Sequence, residues 1–187
     1  MLVLSHRTRD FLPGAYVQFL QVDGTELADP IIDDSDIDGP IADVIRGLDQ
    51  KIESHNRTSV EFHTSTLEQR RSTYPMAAIQ QLVRNAIMHR TYEASNAPVR
   101  VTWYRDRLEI TSPGGPFGAV TSQNFGKPGV TDYRNPALAE SLKVLGFVQK
   151  FGAGIATARR LLEENGNPPP IFIVDESNVH VTIGAAR

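Results

Sequence analysis

The chain has 187 residues, 40% of them hydrophobic and 22% charged, enough to bury a core of its own and too apolar for a disordered chain. It has no cysteine, so disulfides, thiolate metal sites and cysteine nucleophiles are excluded, and a reducing cytoplasm is the expected setting. No run of eighteen apolar residues occurs, so no membrane partner is expected. The opening MLVLSHRTRDF turns polar after four residues, unlike a secretory leader. Net charge is −3 but unevenly placed: residues 1–58 hold 5 Lys or Arg against 11 Asp or Glu, and residues 59–187 hold 14 against 11. Between Asp10 and Arg46 no basic residue occurs. Such a segment repels a phosphate backbone, so bulk charge gives no support to nucleic-acid binding by this chain alone.

In chain order, Ala15–Val22 (AYVQFLQV) has strand composition, followed by an Asp-Gly-Thr turn signal. Asp34–Pro40 (DSDIDGP) reads as a loop. Ile41–Glu53 places apolar residues at 41, 44, 45, 48 and 52, a one-faced helix period. Val60–His63 fits a short strand. Tyr74-Pro75 starts a helix over Met76–His89, with Pro tolerated in the first turn. Pro98–Tyr104 alternates and turns at Asp106-Arg107 into a returning strand, Leu108–Thr111, which Ser112-Pro113-Gly114-Gly115-Pro116 stops. Phe117–Tyr133, rich in Gly, Ser, Thr, Asn and Pro, is a long loop. Pro136–Leu145 is a helix, and Phe151-Gly152-Ala153-Gly154 is a glycine turn feeding a helix over Ile155–Asn165, stopped by Gly166-Asn167. Ile171–Val174 and His180–Ile183 close as two strands. Paired strands with helices between them predict an α+β sandwich, helices on one face of a mixed sheet, and argue against a Rossmann alternation.

Three features carry the functional content. Asn85 sits among Leu82, Val83 and Ile87 of a helix; an amide oxygen can coordinate a hard cation, although a polar helix edge also explains it. Ser112, Gly114 and Gly115 close a strand where small residues admit a flat ligand, or simply make a Pro-Gly turn. Gly152 and Gly154 open a helix whose first N–H groups can bind phosphate, or form a plain tight loop.

Their combination in this order resembles a known family. QLVRNAIMH resembles the N box of the GHKL ATPases (gyrase B, Hsp90, histidine kinases, MutL), EITSPGG their adenine-pocket strand and turn, and FGAGIATARRLLEENGN the last glycine box of histidine kinases. More closely, YPMAAIQQLVRNAIMHRTY, DRLEITSPGG, RNPALAESLKVLGFVQKFGAGI and NPPPIF resemble the C-terminal ATPase-like domain of RecG-helicase-like transcriptional regulators, over roughly residues 60–187. In those proteins a Schlafen AlbA-type DNA-binding domain comes first, and FLPGAYVQFLQVDGTE resembles its last strands. The resemblance implies a GHKL (Bergerat-type) two-layer sandwich over 59–187, with 1–58 as the tail of a Schlafen AlbA-type domain plus a connecting helix. The chain would then be a C-terminal fragment, or a protein lacking most of that domain.

What the resemblance implies for residues is specific. Asn85 would hold Mg²⁺ bridging ATP phosphates. Gly152 and Gly154 would offer N–H groups to those phosphates. Ser112, Gly114 and Gly115 would line the adenine site. The loop from Phe117 to Arg134 would be a mobile lid, with Lys127 and Arg134 near phosphate charge or merely solvated, and His89 reads as a packing residue. Two positions depart from the family. Gln81 stands where hydrolysing relatives carry a glutamate base, a contribution of about 10²–10⁴-fold. Ser112 stands where an aspartate reads adenine, without charge-assisted strength. Glu68 and Glu93 lie on other segments. The expectation is an ATP-binding regulatory domain with weak or no hydrolysis, DNA being reached only through a missing N-terminal domain. An active Mg-dependent ATPase, and a degenerate fold serving homodimerisation or partner binding through Phe11, Tyr16, Phe19 and Leu20, remain alternatives.

Overall fold

A computed structural model describes residues 1–56, 58–61, 69–148 and 152–186. The helical periods form as the spacing predicts. Helix α1 (Ile41–His55) buries Ile41, Val44, Ile45, Leu48 and Ile52, and α2 (Met76–His89) buries Ala78, Ile79, Leu82, Val83, Ile87 and Met88. Helix α3 (Pro136–Val144) begins with Pro at its first position, where the missing N–H costs nothing. Helix α4 (Gly154–Glu164) buries Ala158 and Leu162, and Gly166 follows it at φ +81°.

The strands are β1 (Val17–Val22), β2 (Ile31–Ile37), β3 (Thr58–Glu61), β4 (Gln69–Ser72), β5 (Val99–Trp103), β6 (Arg107–Pro113), β7 (Ile171–Val174) and β8 (Asn178–Gly184). Six of them make one mixed sheet in the order β2-β1-β5-β6-β8-β7, while β3 and β4 pair separately. The pair β1–β5 is parallel and the other pairs of the sheet are antiparallel. Period-2 alternation puts Val17, Phe19, Val99, Val101, Trp103, Leu108, Ile110, Val181 and Ile183 in one core with the helices. The opposite face is polar on β6 and β8, where Arg107 Nε donates to Glu109 Oε1 at 2.7 Å and Thr111 Oγ1 lies 2.9 Å from His180 Nδ1, while Ile171 and Ile173 of β7 stand exposed beside them. This is an α+β sandwich with helices on one face of a mixed sheet.

The structure differs from the sequence reading in several places. The Asp-rich stretch read as a loop from Asp34 is mostly strand β2, paired antiparallel along β1. Composition argues against a strand there, but tertiary pairing overrides it. Asp33 turns toward α1, where Lys51 Nζ lies at 2.7 Å, His55 Nε2 at 3.0 Å and Ser35 Oγ at 2.6 Å. Together these hydrogen bonds and the Lys51 charge outweigh burial and lower the Asp33 pKa to about 2. Exposed carboxylates on an edge strand also discourage edge-to-edge pairing. Phe19, expected to meet a partner, is fully buried in the chain's own core, whereas Phe11 is 62% exposed. Strand β6 runs on through Ser112 and Pro113 rather than ending before them. The strand expected over Val60–His63 overlaps β3, and its last two residues lie outside the described ones.

Asparagines fasten the layers. Asn56 exchanges two hydrogen bonds with the Tyr74 backbone, Nδ2 to O at 2.7 Å and N to Oδ1 at 3.1 Å, which joins the end of α1 to the start of α2. Asn167, 6% exposed, donates from Nδ2 to Thr73 O at 2.9 Å and Gly184 O at 3.0 Å, and accepts from Asn165 Nδ2 at 2.8 Å. Removing such a side chain strands several buried polar groups. Asn167→Ala is expected to lower the unfolding free energy by about 2 kcal/mol, read as a lower urea midpoint at unchanged slope.

Candidate functional site

A cleft opens where the last turns of α2, the end of β6 and the start of α4 converge. Leu82, Asn85, Ala86 and His89 of α2 line it, with Ile110 and Ser112 of β6, Gly114 and Gly115 just beyond, and Gly152, Gly154 and Ile155 around the start of α4. All six residues singled out from the sequence (Asn85, Ser112, Gly114, Gly115, Gly152 and Gly154) therefore face one space.

Asn85 reaches it because α2 packs Leu82 and Ile87 inward and leaves position 85 at the helix edge. Among the described residues no group hydrogen-bonds its carboxamide. Ser112 is 4% exposed and its Oγ donates to Ala86 O at 2.8 Å. Its single proton is thereby committed, so toward the cleft the hydroxyl can only accept. Gly114 adopts φ +98° and its N–H donates to Ser177 O at 2.7 Å. A Cβ on Gly115 would overlap the carbonyl oxygens of Asp175 and Glu176. Both glycines thus serve close backbone approach to the β7–β8 turn as well as lining the cleft.

The start of α4 has no side-chain cap at Ala153, so the N–H groups of Gly154 and Ile155 lack helical acceptors and form a positive end. Gln81 sits beside that end: a Cβ on Gly154 would lie 3.1 Å from Gln81 Oε1. Glu93 lies in the exposed segment after α2, and Glu68 falls outside the described residues.

The segment from Phe117 to Asp132 roofs the cleft with Phe117, Val120, Phe125, Lys127 and Val130. It is a chain of turns without helix or strand. Asn124 bridges Thr121 N at 2.7 Å and Ala119 O at 3.0 Å, and Phe125 packs 5.7 Å from Phe172. Asp132 accepts from Ala119 N at 3.0 Å and Tyr133 N at 2.8 Å, bonds that hold its carboxyl below the usual range. Arg134 is half-buried and does not line the cleft. Its Nη2 donates to Gly115 O at 3.1 Å and its guanidinium lies 4.9 Å over Phe117, clasping the two ends of the roof together. Beneath it the interior space is about 100 Å³, against roughly 300–1,000 Å³ for small-molecule pockets. The roof is down.

Two residues matter more than the sequence suggested. Asn135 donates from Nδ2 to Met88 O at 2.9 Å and Arg90 O at 2.7 Å, capping α2 from the far end of the roof. No local sequence pattern marks it as a cap for another helix. His89 lines the cleft, stacks on Tyr133 at 5.4 Å and 22°, and has its pKa lowered to about 4, first by burial and then by the Arg134 charge. The unfolded chain, with an ordinary histidine, binds more protons between pH 4 and 6.5, so stability rises with pH across that window and is complete above it. The expected cost at pH 4 is on the order of 2–3 kcal/mol. Asp33, held at about 2, adds a separate loss only as the pH falls below the ordinary carboxylate range. Denaturant unfolding of the parent chain and His89→Gln from pH 4 to 7 should show the slope in the parent and flatten it in the variant.

Residues 96–183 match an ATPase-type family model whose description reads "Putative ATP-dependent DNA helicase recG C-terminal". The match takes in Ser112, Gly114, Gly115, Gly152 and Gly154, while Gln81 and Asn85 precede it. No curated protein matches the chain. Among solved structures, the crystal structure of the DIP2311 protein from Corynebacterium diphtheriae superposes with a TM-score of 0.77 at 24% identity, over 91% of this chain. That likeness concerns the fold, and the chain spans 35% of the length of the other protein. Residues 96–183 are thus similar to the RecG-like C-terminal ATPase-type domain, and the α+β sandwich is consistent with a GHKL-like fold.

Proposed function

We propose that the cleft binds ATP with Mg²⁺ and turns it over slowly or not at all, the chain serving as the nucleotide-responsive domain of a DNA-associated regulator. The observation that carries this reading is the meeting of Asn85 and the uncapped start of α4 in one cleft, although α2 and α4 lie far apart in the sequence. The donor set suits the ligand. A carboxamide oxygen is a ligand for a hard cation, which keeps waters and phosphate oxygens for its other positions. Among the described residues no three His, Cys, Asp or Glu side chains gather as a cage, in keeping with a cation that arrives with its nucleotide. Free N–H groups at a helix start favour phosphate.

Each residue then has a role. Asn85 would offer its oxygen to Mg²⁺, which when bound neutralises phosphate charge. Gly154 and Ile155 would donate backbone N–H groups to phosphate oxygens. Ser112, its proton held by Ala86, would accept from an exocyclic amino group. Lys127, on the roof, would come within reach of phosphate. Because the interior space is only about 100 Å³, the 117–132 segment must lift to admit a nucleotide, and Arg134 would have to release Gly115 or Phe117.

Hydrolysis is the weak point. Gln81 stands by the start of α4 but carries no charge, and an amide is a poor general base. The regulatory role rests on the family resemblance, with a preceding Schlafen AlbA-type domain supplying DNA contact. The 35% coverage of the DIP2311 protein accords with a chain that works as part of something longer.

Calorimetric titration of the chain with ATP and Mg²⁺ is expected to show saturable binding. Asn85→Ala should weaken it about tenfold or more, about the 1.4 kcal/mol of one charge-assisted contact. Absence of heat at about millimolar nucleotide would remove the reading. A phosphate-release assay should find little turnover in the parent, and Gln81→Glu should raise it by about tenfold or more, toward the range of a general base. Unchanged turnover in that variant would mean that more than this one group is missing.

A further inference from the structure

We infer that the opening at the carboxyl ends of β1 and β5 is a second binding site, for a small organic cation carrying several N–H donors. Strands β1 and β5 are the parallel pair of the sheet, and the space beyond the carboxyl ends of parallel strands is where sheets open pockets. Here it measures about 400 Å³ and is lined by Gln21, Asp23, His55, Trp103, Tyr104 and Arg105, among others. None of these residues takes part in the nucleotide cleft.

The walls are aromatic and fixed. His55 stacks on Phe19 at 5.3 Å and 15°, and its Nε2 is tied to Asp33 Oδ2 at 3.0 Å. Trp103 is propped edge-on by Tyr74 at 5.1 Å and 87°. Ring faces held in place this way attract a cation through their quadrupoles without first being ordered.

The polar groups ask for a donor. Gln21 Oε1 is buried and has no hydrogen-bond partner among the described residues. An unpaired buried acceptor is unfavourable, and the terminal torsion of a glutamine is soft. A small turn of that amide brings its oxygen to an incoming N–H. The cations near the opening are already held by carboxylates: Arg105 by Asp23 at 2.7 Å, Lys51 by Asp33 at 2.7 Å, and Arg107, which lies over the Tyr104 ring, by Glu109 at 2.7 Å. Asp23 is the carboxylate among the described lining residues, and Arg105 bonds only its Oδ1, which leaves Oδ2 to accept from an incoming donor. A guanidinium or ammonium group meets all three conditions: aromatic wall, orphaned acceptor and a carboxylate oxygen that Arg105 leaves unbonded.

Trp103 is the only tryptophan of the chain, so its emission reports on one wall of this opening. Agmatine, with a guanidinium at one end and an ammonium at the other, is the probe. Titration of the full chain should change Trp103 emission saturably, with a dissociation constant of about 1 mM or below. Gln21→Leu removes the acceptor and should weaken binding about tenfold or more, while the thermal midpoint stays equal or rises because an unsatisfied group has gone. Asp23→Asn should weaken binding about threefold at low salt and less at high salt. If Gln21→Leu loses the fold, Asp23→Asn decides alone. A linear, unsaturating response up to about 10 mM agmatine, or parent-like affinity in the folded variants, overturns the inference.

Discussion

The geometry of the cleft depends on how the last turn of α2 is capped. A helix end leaves carbonyls short of helical partners, and here side chains from three other segments bond to the last carbonyls, Ala86 O also keeping its bond from Arg90 N at 3.1 Å. Ser112 on β6 donates to Ala86 O at 2.8 Å, Tyr92 Oη donates to Ile87 O at 2.9 Å, and Asn135 before α3 donates to Met88 O and Arg90 O at 2.9 and 2.7 Å. Thr91 N adds a backbone bond to Pro113 O at 2.9 Å. These contacts draw the strand end, the loop after α2 and the start of α3 around one helix terminus. Asn85 lies one residue before the first of those carbonyls, so its place in the cleft follows from the same seam.

That seam also explains why the roof is anchored at both ends. Its first end leaves β6 through Gly115, and its last end arrives at Asn135, and both are bonded to the same region. Arg134, bridging Gly115 O and Phe117, is the catch between them. The exposed middle is held by turn hydrogen bonds, the Ala119–Asp132 bond across it and a few apolar contacts onto Phe172 and Ile155. Segments with few buried contacts open at lower free energy than the core. A hinge at fixed ends with a weakly held middle is what a closing loop needs.

Much of this was legible in the sequence, for identifiable reasons. Helices α1, α2, α3 and α4 announce themselves by apolar period and by Pro and Gly at their ends, and strands β5 and β6 by alternation about a turn. Strand β2 did not, because its Asp residues are tolerated only through partners supplied by α1 and by solvent at the edge. The six site positions could be named from local motifs, and the structure groups them. The capping of α2 by Asn135, the clasp by Arg134 and the spent proton of Ser112 depend on residues distant in sequence, and no local pattern contains that information. Phe19 misled for the same reason. A buried aromatic and a docking aromatic look alike until the neighbouring strand is known.

The two openings lie at opposite ends of the sheet. Strands β5 and β6 are antiparallel, with Trp103 opposite Leu108 and Arg100 opposite Thr111. The space beyond Trp103 is thus separated from Ser112 by four residues along β6, about 13 Å of strand. Between them lie Val101 and Ile110, fully or almost fully buried in the shared core. Groups that far apart without a common partner contribute additively. Substitution of Gln21 should therefore leave nucleotide affinity unchanged, and substitution of Asn85 should leave the Trp103 response unchanged. If instead the two titrations shift each other, the effect is reciprocal by linkage, and the structural element that joins the two ends must have a second arrangement. The seam at the end of α2 is the place to look for it, since it gathers strand, helix and roof at one point.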